Sequence, residues 1–343
     1  MLLIKLLLLC GVSTYHIGNS LTFDSLGRGL DGVYSMERVY DAYGYDYTLG
    51  LHVDSNTTMK MQWDNPNGEL TNGVDFTKGG NYTTALANGG WDALTLQPFA
   101  GTGSTLGQDV EAIQNFRALA PYARHYIYQT WPRQSDGNYT TYWENMSTNF
   151  TLSSPTAHSR NYYKSLRNSL DSETLFEIPT GEVRNNINKA IESGDITEIT
   201  ANDMYRDNTH ASWIIGRYVA TMTVFSTIER KDINGFIPPE ESFPSDILTP
   251  AIYTKLNKII WDTVSTYPFA AISDWNYDGY VDNVDLDIIF DQYGLKTDGK
   301  DILLWQRNFR PREMQQAFTQ QIPEPSCWIF MLPLLVSRHF RKK

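Results

Sequence analysis

The stretch Tyr15-His16-Ile17-Gly18-Asn19-Ser20-Leu21-Thr22 passes from a short apolar run into the beginning of a helical pattern. A serine at this junction lies at the carboxyl end of a strand, where open α/β sheets place their sites. The helix N-terminus favours a developing negative charge, and the backbone N–H of Ser20 can help to bind it. Ser20 is therefore a candidate nucleophile. The alternative is that this serine only caps the helix.

Short apolar runs and helical stretches alternate through the large region 14–268. Strands that alternate with helices predict an α/β fold, with a mostly parallel sheet and helices on both faces. The predicted strands are Tyr15–Ile17, Ala93–Leu96, His125–Tyr128 and Leu175–Ile178, and two of the predicted helices are Val110–Leu119 and Ser212–Glu229.

A second motif lies late in this region, where Asp207 precedes His210 by three residues on a loop that opens a helix. At this spacing the carboxylate can hold one imidazole nitrogen. That contact fixes the tautomer and stabilises the imidazolium that forms when His210 takes a proton from Ser20. The alternative is a capped loop without chemistry.

Together the two motifs resemble the first and last sequence blocks of the SGNH (GDSL-type) hydrolases, over residues 14–268. The resemblance implies a flavodoxin-like three-layer sandwich. It also implies Ser20 as nucleophile, His210 as general base and acid, and Asp207 as the residue that orients His210. The chain departs from the commonest family pattern at Asn19, where aspartate is usual. This position neighbours the nucleophile and is not needed for proton transfer.

The middle blocks of the family are less complete in this chain. Gly80, in Lys78-Gly-Gly-Asn81, is the best match to the glycine whose N–H joins the oxyanion hole. The usual Gly-x-Asn-Asp block is absent, and a predicted strand ends there in Gln97. Gln97 could donate a side-chain N–H to the oxyanion, or it could only satisfy backbone groups at the strand end. The expected oxyanion hole is Ser20, Gly80 and Gln97.

Residues 274–285 have the ligand spacing of an EF-hand calcium loop, with a glycine at the sixth position for the sharp turn. Aspartate at the last position resembles a dockerin-type repeat, and the segment 271–311 is predicted to be a small helical module. The second half lacks the early ligands, so one Ca²⁺ is expected. The candidate ligands are Asp274, Asn276, Asp278, Tyr280 through its carbonyl, Asp282 and Asp285. A solvated acidic turn is the alternative.

The two chain ends differ from the rest in pattern. Residues 1–13 are an apolar run with one lysine, typical of a secretory leader, although a buried first strand is the alternative. Residues 322–343 combine Pro-Glu-Pro, an apolar stretch and a basic cluster, and they resemble a PEP-CTERM sorting signal rather than an amphipathic surface helix. That resemblance implies an exosortase-type partner and an exported bacterial protein of the envelope, outer surface or extracellular matrix.

The net charge of −11, from 28 Lys+Arg against 39 Asp+Glu, makes nucleic-acid binding an unfavourable interpretation. Two cysteines, Cys10 and Cys327, are too few for a disulfide scaffold or a cysteine zinc cluster. The sequence thus predicts an exported serine esterase that removes acyl groups, such as acetyl, from a carbohydrate and needs no cofactor for catalysis. Its dockerin-like module could bind a protein partner. The alternative is a non-catalytic envelope protein that binds glycans with the same fold and is anchored through its calcium module.

Overall fold

The computed structural model describes most of the chain between residues 11 and 309. The predicted leader falls largely on residues 1–10, and this segment, Gly80 and the predicted sorting signal at 322–343 lie outside the described residues. The described ranges are 11–27, 33–67, 81–99, 105–150, 158–170, 174–243, 247–294 and 297–309.

The described strands form one five-stranded parallel sheet in the order β2-β1-β3-β4-β5. The predicted α/β class is confirmed. Side chains on these strands are buried almost throughout, as is typical of a parallel sheet covered on both faces. The strands are β1 (Val12–Gly18), β2 (Tyr47–Val53), β3 (Ala93–Leu96), β4 (Arg124–Tyr128) and β5 (Leu175–Ile178).

Helices cover both faces of the sheet and also form a pair near the C-terminal end. They are α1 (Ser20–Leu26), α2 (Ser35–Ala42), α3 (Met59–Asp64), α4 (Tyr82–Ala87), α5 (Leu106–Leu119), α6 (Tyr139–Trp143), α7 (Arg160–Leu170), α8 (Thr180–Glu192), α9 (Ile215–Ile228), α10 (Pro250–Thr266), α11 (Asn283–Asp291) and α12 (Gly299–Asn308). Short 3₁₀ turns lie at Gln134–Asp136, Ala201–Met204 and Glu240–Ser242. Among the described helices, none combines the length and hydropathy that a membrane crossing requires.

Helix α9 is the centre of one helical layer. All of its residues are buried, because it packs against α1, α2, α8 and α10 as well as the sheet. A helix that is hidden on every side needs no polar face. On the opposite side, α5 packs with α3, α4 and α7.

The order of the strands decides where a site can lie. Strand β2 lies on one side of β1 and β3 lies on the other. The connection after β1 therefore runs in the opposite direction to the connection after β3. In open parallel sheets a crevice forms at this switch point, outside the carboxyl ends of the strands. The segments that follow Gly18 and Leu96 meet there.

Several predicted boundaries differ from the structure: α5 begins at Leu106 rather than Val110, and β4 begins at Arg124 rather than His125. Strand β1 begins at Val12, and Val12 and Ser13 pair with Tyr47 and Thr48 of β2, so a leader that ended at residue 13 would include two residues of the strand. Helix α9 begins at Ile215 rather than Ser212, because the Ser212 hydroxyl accepts a hydrogen bond from the Gly216 N–H and forms the turn before the helix.

The segment after residue 270 packs on the α/β region through aromatic and amide contacts. Arg124 donates to the Tyr277 hydroxyl at 3.2 Å, and the Arg230 guanidinium lies 4.1 Å from the centre of the Tyr277 ring. Asn308 at the end of α12 donates to the Ser265 carbonyl at 3.2 Å. Helices α11 and α12 also contact each other, as expected for a small helical module.

Candidate active site

Ser20 is the first residue of α1, and the residue before it caps that helix. The Asn19 side-chain oxygen accepts from the Leu21 N–H at 3.0 Å, and its amide group donates to the Thr57 carbonyl at 3.2 Å. A carboxylate at position 19 could not make the second bond. Because Asn19 is the cap, the Ser20 hydroxyl is not needed for that role.

The structure brings Ser20 together with the late loop. His210 Nε2 lies 2.8 Å from Ser20 Oγ, and His210 Nδ1 lies 2.8 Å from Asp207 Oδ2. A carboxylate only accepts, so Nδ1 donates to Asp207 and Nε2 is left to accept the Ser20 proton. These three side chains form the hydrogen-bonded row that acyl transfer by a serine requires.

Asp207 is held in its ionised form by the loop itself. Its Oδ1 accepts from the backbone N–H groups of Thr209 and His210 at 2.8 and 2.9 Å. Burial alone would raise the pKa of Asp207, but these N–H groups and the His210 imidazole together lower it to about 2. The carboxylate therefore stays negative at neutral pH and can balance an imidazolium at His210.

The backbone N–H of Ser20 is free to bind a ligand. It finds no acceptor among the described residues, while the N–H groups of Leu21 and Thr22 are held by Asn19 and Gln97. An unpaired N–H at a helix N-terminus, beside the candidate nucleophile, is a donor for an oxyanion. Gly80, expected as a second donor, lies outside the described residues.

Gln97 ends β3 and ties it to the nucleophile turn. Its Oε1 accepts from Asn19 N, Thr22 N and Thr22 Oγ1 at 3.0, 3.2 and 2.9 Å. Three donors on one atom identify that atom as the oxygen. The nitrogen donates to the Pro98 carbonyl at 3.3 Å. The oxygen thus positions Ser20, and only Nε2 can serve as an oxyanion donor.

Gly18 permits this crowded turn. A Cβ at that position would lie 2.2 Å from Thr22 Oγ1 and 2.7 Å from Gln97 Oε1, where no side chain fits. The glycine of the Gly-Asn-Ser motif is therefore required by the close approach of Gln97.

Asp24 and Arg206 were not identified from the sequence as site residues. Asp24 is fully buried one turn after Ser20, and its two oxygens accept from Arg206 Nη1 at 2.5 Å and from the Ala211 N–H at 2.9 Å. Arg206 also donates to the Ala211 carbonyl at 2.7 Å. The helix of Ser20 is thereby fixed to the residue that follows His210.

Burial raises the pKa of Asp24, although Arg206 and the Ala211 N–H oppose the shift. The contacts of Asp24 fix the geometry between α1 and the loop of His210, and a buried ion pair is by itself weak evidence for net stability. The signal in the sequence is an aspartate within a short helical stretch that also contains the apolar Leu21, Phe23 and Leu26.

His16, beside the nucleophile strand, is not part of the site. It is buried between the Thr14 and Thr95 hydroxyls, which lie 2.7 Å from its two ring nitrogens. Burial lowers the pKa of His16 to about 3, so it remains neutral. It is therefore a packed histidine of the strand.

The acidic loop at 274–285 is folded around its own backbone. Asp285 accepts from the N–H groups of Trp275, Asn276 and Asp282, and Asp274 accepts from those of Asp278 and Gly279. Gly279 has a φ of 90°, the left-handed conformation expected at the sharp turn. In the part of the chain that the structure describes, no three His, Cys, Asp or Glu side chains converge as metal ligands.

The chain matches no protein-family model, and no curated protein is significantly similar to it in sequence. Similar solved structures include a lipase/acylhydrolase from Enterococcus faecalis, 9% identical with a TM-score of 0.40, over 63% of this chain and 95% of that one. Another is a GDSL-like lipase from Parabacteroides merdae, 9% identical with a TM-score of 0.39, over 62% and 93%. A third is an acetyl xylan esterase from Butyrivibrio proteoclasticus, 13% identical with a TM-score of 0.24, over 48% and 54%. Likenesses this distant carry no argument about chemistry, which depends on the side chains described above.

Replacing Asp24 tests whether this carboxylate positions the site. In Asp24→Asn we expect the free energy of unfolding to fall by about 1–3 kcal/mol, because one of the donors that Asp24 satisfies, Arg206 or the Ala211 N–H, loses its acceptor. We also expect the rate at which Ser20 reacts with a fluorophosphonate to fall by about 10- to 100-fold, because His210 shifts. Urea unfolding and labelling kinetics measure the two effects. The exposed Asp41→Asn is the matched control, and unchanged labelling in Asp24→Asn would contradict the positioning role.

Proposed function

We propose that this protein is a serine esterase of the SGNH type. The observation that carries the proposal is the row Ser20–His210–Asp207, with 2.8 Å contacts on both sides of the imidazole, at the switch point of a parallel sheet. The N–H of Ser20, which has no acceptor in the described ranges, lies beside the hydroxyl of the same residue. A protein that only bound glycans would not need this arrangement.

The reaction follows from the geometry. Ser20 Oγ attacks the ester carbonyl carbon while its proton passes to His210 Nε2, and Asp207 balances the imidazolium. The oxyanion is bound by the N–H of Ser20, with Gly80 and Gln97 Nε2 as the further donors that we propose. His210 then protonates the departing alcohol oxygen. Water, activated by His210, attacks the acyl-enzyme, releasing the acid and restoring Ser20.

We propose that the substrate is an acylated carbohydrate. The Asp207 and His210 side chains are 50% and 28% exposed, so the row is open to solvent rather than enclosed in a tunnel. An open site suits a short acyl group, such as acetyl, carried on a large polar molecule. The two chain ends predict an exported protein of the envelope. At that location an acylated carbohydrate would be accessible to it.

We further propose that the loop at 274–285 binds one Ca²⁺. Asp274 is 2% exposed and Asp285 is fully buried, and a cation beside them would stabilise these charges beyond the backbone N–H groups that they already accept. The donor set supplies hard oxygens only, which suits calcium. The proposed ligands are Asp274, Asn276, Asp278, the Tyr280 carbonyl, Asp282 and Asp285, and they would stiffen the module for a protein partner.

Ser20→Ala tests the esterase proposal. We expect hydrolysis of an aryl acetate to fall by about 10⁴-fold or more, because the nucleophile is lost, with thermal unfolding unchanged. We also expect labelling by a fluorophosphonate to disappear. Ser25→Ala, on the same helix, is the matched control and should retain both. Full hydrolysis by the Ser20→Ala protein would contradict the proposal. If Ser20 of the native protein does not react with the fluorophosphonate, the glycan-binding alternative is favoured.

Gln97→Glu and Gln97→Leu separate the two roles of this side chain. The glutamate keeps an oxygen for Asn19 and Thr22 but loses the N–H donor. If Nε2 binds the oxyanion, kcat should fall by about 10²–10³-fold at pH 8, with KM nearly unchanged. Leucine leaves three donors unpaired and should also lower the free energy of unfolding by about 1–3 kcal/mol. A Gln97→Glu protein with native kcat would remove Gln97 from the oxyanion hole.

Calcium addition to the EDTA-treated protein tests the loop. At about 100 times its Kd, Ca²⁺ should stabilise the module by about 2.7 kcal/mol, measured as a rise in its unfolding temperature, and Mg²⁺ should act more weakly. Asp278→Asn should weaken Ca²⁺ binding by about tenfold or more, whereas Asp287→Asn on the exposed face of α11 should not. If Ca²⁺ has no effect on the native protein, the loop is a solvated acidic turn.

A further inference from the structure

Trp213 is an exposed aromatic side chain in the loop that carries His210. It lies three residues after His210, just before α9 begins, and 55% of its surface is exposed. None of the other tryptophans in the described ranges is mostly exposed. A single exposed apolar side chain is common on protein surfaces, so its contacts decide whether it has a role.

The Trp213 ring rests on the same arginine that joins the two halves of the site. The Arg206 guanidinium carbon lies 3.9 Å from the centre of the ring, within the range of a cation–π contact. That guanidinium is itself fixed, because it donates to Asp24 and to the Ala211 carbonyl. Its Nε lies 3.9 Å from Asp207 Oδ2. One guanidinium therefore contacts both the Trp213 ring and the carboxylate of the Ser20–His210–Asp207 row, which places the ring beside the site.

One face of this ring is free for a ligand. The backbone before Trp213 is held, since the Ser212 N–H donates to the Met204 carbonyl at 2.9 Å and its hydroxyl accepts from the Gly216 N–H at 2.8 Å. The Arg217 guanidinium carbon adds a second contact, 4.6 Å from the ring centre. An indole covered on both faces would keep little more than its edge exposed, so an exposed fraction of 55% leaves one face open. Because its supports are in place before binding, this face is preorganised.

The proposed reaction brings the alcohol part of the substrate to this loop. His210 Nε2, which lies 2.8 Å from Ser20 Oγ, protonates the departing alcohol oxygen. The alcohol therefore leaves on the side of Ser20 that faces His210. In an acylated carbohydrate this alcohol is the sugar. The sugar rings would thus lie against the loop that carries His210 and Trp213.

A flat indole face suits a pyranose ring. One face of a pyranose consists largely of C–H groups, and packing them on an aromatic ring removes apolar surface from water. The hydroxyl groups remain at the edge of the sugar, where water can bind them. A simple alkyl ester with the same acyl group has no such ring. Stacking on Trp213 would therefore distinguish an acylated sugar from a simple ester.

We propose that Trp213 is a specificity-determining residue, on which a sugar ring of the alcohol part of the substrate stacks. The inference rests on the proposed esterase function, because the route of the departing alcohol places the sugar. Binding of the sugar itself does not require the Ser20 hydroxyl, so the two proposals can fail separately.

Kinetics with two kinds of ester test the role of Trp213. In Trp213→Ala we expect KM for acetylated xylotetraose or acetylated mannotetraose to rise about tenfold or more, with kcat nearly unchanged, because the stacking surface is lost. The value of kcat/KM for ethyl acetate, which has no ring, should change by about threefold at most. Trp213→Phe keeps a flat ring and should retain most of the affinity.

Tyr122→Ala is the matched control. Tyr122 is 97% exposed and precedes the amino end of β4, whereas the site lies at the carboxyl ends of the strands. This variant should keep the native KM for both tetrasaccharide esters. An equal loss of kcat/KM for the sugar esters and ethyl acetate in Trp213→Ala would make Trp213 only a support for Arg206 and overturn the proposal. A native KM for both sugar esters in Trp213→Ala would also overturn it.

Calorimetry with xylotetraose and mannotetraose separates this inference from the esterase proposal. We expect the native protein and Ser20→Ala to bind at least one of these sugars, and Trp213→Ala to bind it about tenfold more weakly. Such binding by a protein that hydrolyses no ester would refute the esterase proposal and leave the role of Trp213 standing. If hydrolysis depends on Ser20 but neither sugar binds, or Trp213→Ala binds with native affinity, the role of Trp213 is refuted and the esterase proposal stands.

Discussion

The site depends on the two hydrogen bonds that the buried Asp24 carboxylate accepts from Arg206 and from the Ala211 N–H. Ser20 begins one of the first helices of the chain, whereas His210 belongs to a loop that is folded mainly by its own hydrogen bonds. Asp24 connects the two by accepting from Arg206 and from the Ala211 N–H. The loop is also held from the side of β4, where Trp131 donates to the Thr209 carbonyl and Gln134 N donates to the Asn208 carbonyl. Asp24 supplies the contact that joins this loop to the helix of Ser20. Burying a charge for this purpose is costly, which is why the pKa of Asp24 is raised.

The parallel sheet supplies the other half of the geometry. Because β1 lies between β2 and β3, the turn after β1 is adjacent to the end of β3, and Gln97 can accept from Asn19 and Thr22. The same oxygen holds N–H groups that a helix N-terminus leaves unpaired. Within the described part of the chain, the N–H of Ser20 has no acceptor, so the fold leaves a donor where an oxyanion hole requires one. The position of the nucleophile is thus a consequence of strand order as much as of the local motif.

The sequence predicted those features whose signals are local. Strands β3 and β5 lie at the bounds that the sequence predicts, because each is a short, largely apolar run that stops at Gln97 or at Pro179. Strand β2 was missed because Gly50 and His52 interrupt its apolar pattern. Gly50 is needed there since a Cβ would lie 2.4 Å from the Tyr15 ring. Asp24 and Arg206 could not be paired from sequence, because 182 residues separate them and only the tertiary fold brings them together. Gln97 was recognised as a candidate donor, but its use as an acceptor depends on where α1 begins.

The separation of Ser20 and His210 by 190 residues has a consequence for the protein during its synthesis. A ribosome that adds about 5–20 residues per second needs roughly 10–40 s to make that length of chain. Throughout that interval the growing chain contains Ser20 but not His210. Helix α1 also lacks α9, against which it packs in the folded protein. Chemical competence therefore arises only when nearly the whole α/β region has been translated and folded. An incomplete chain therefore lacks the Ser20–His210 contact on which the proposed activity depends.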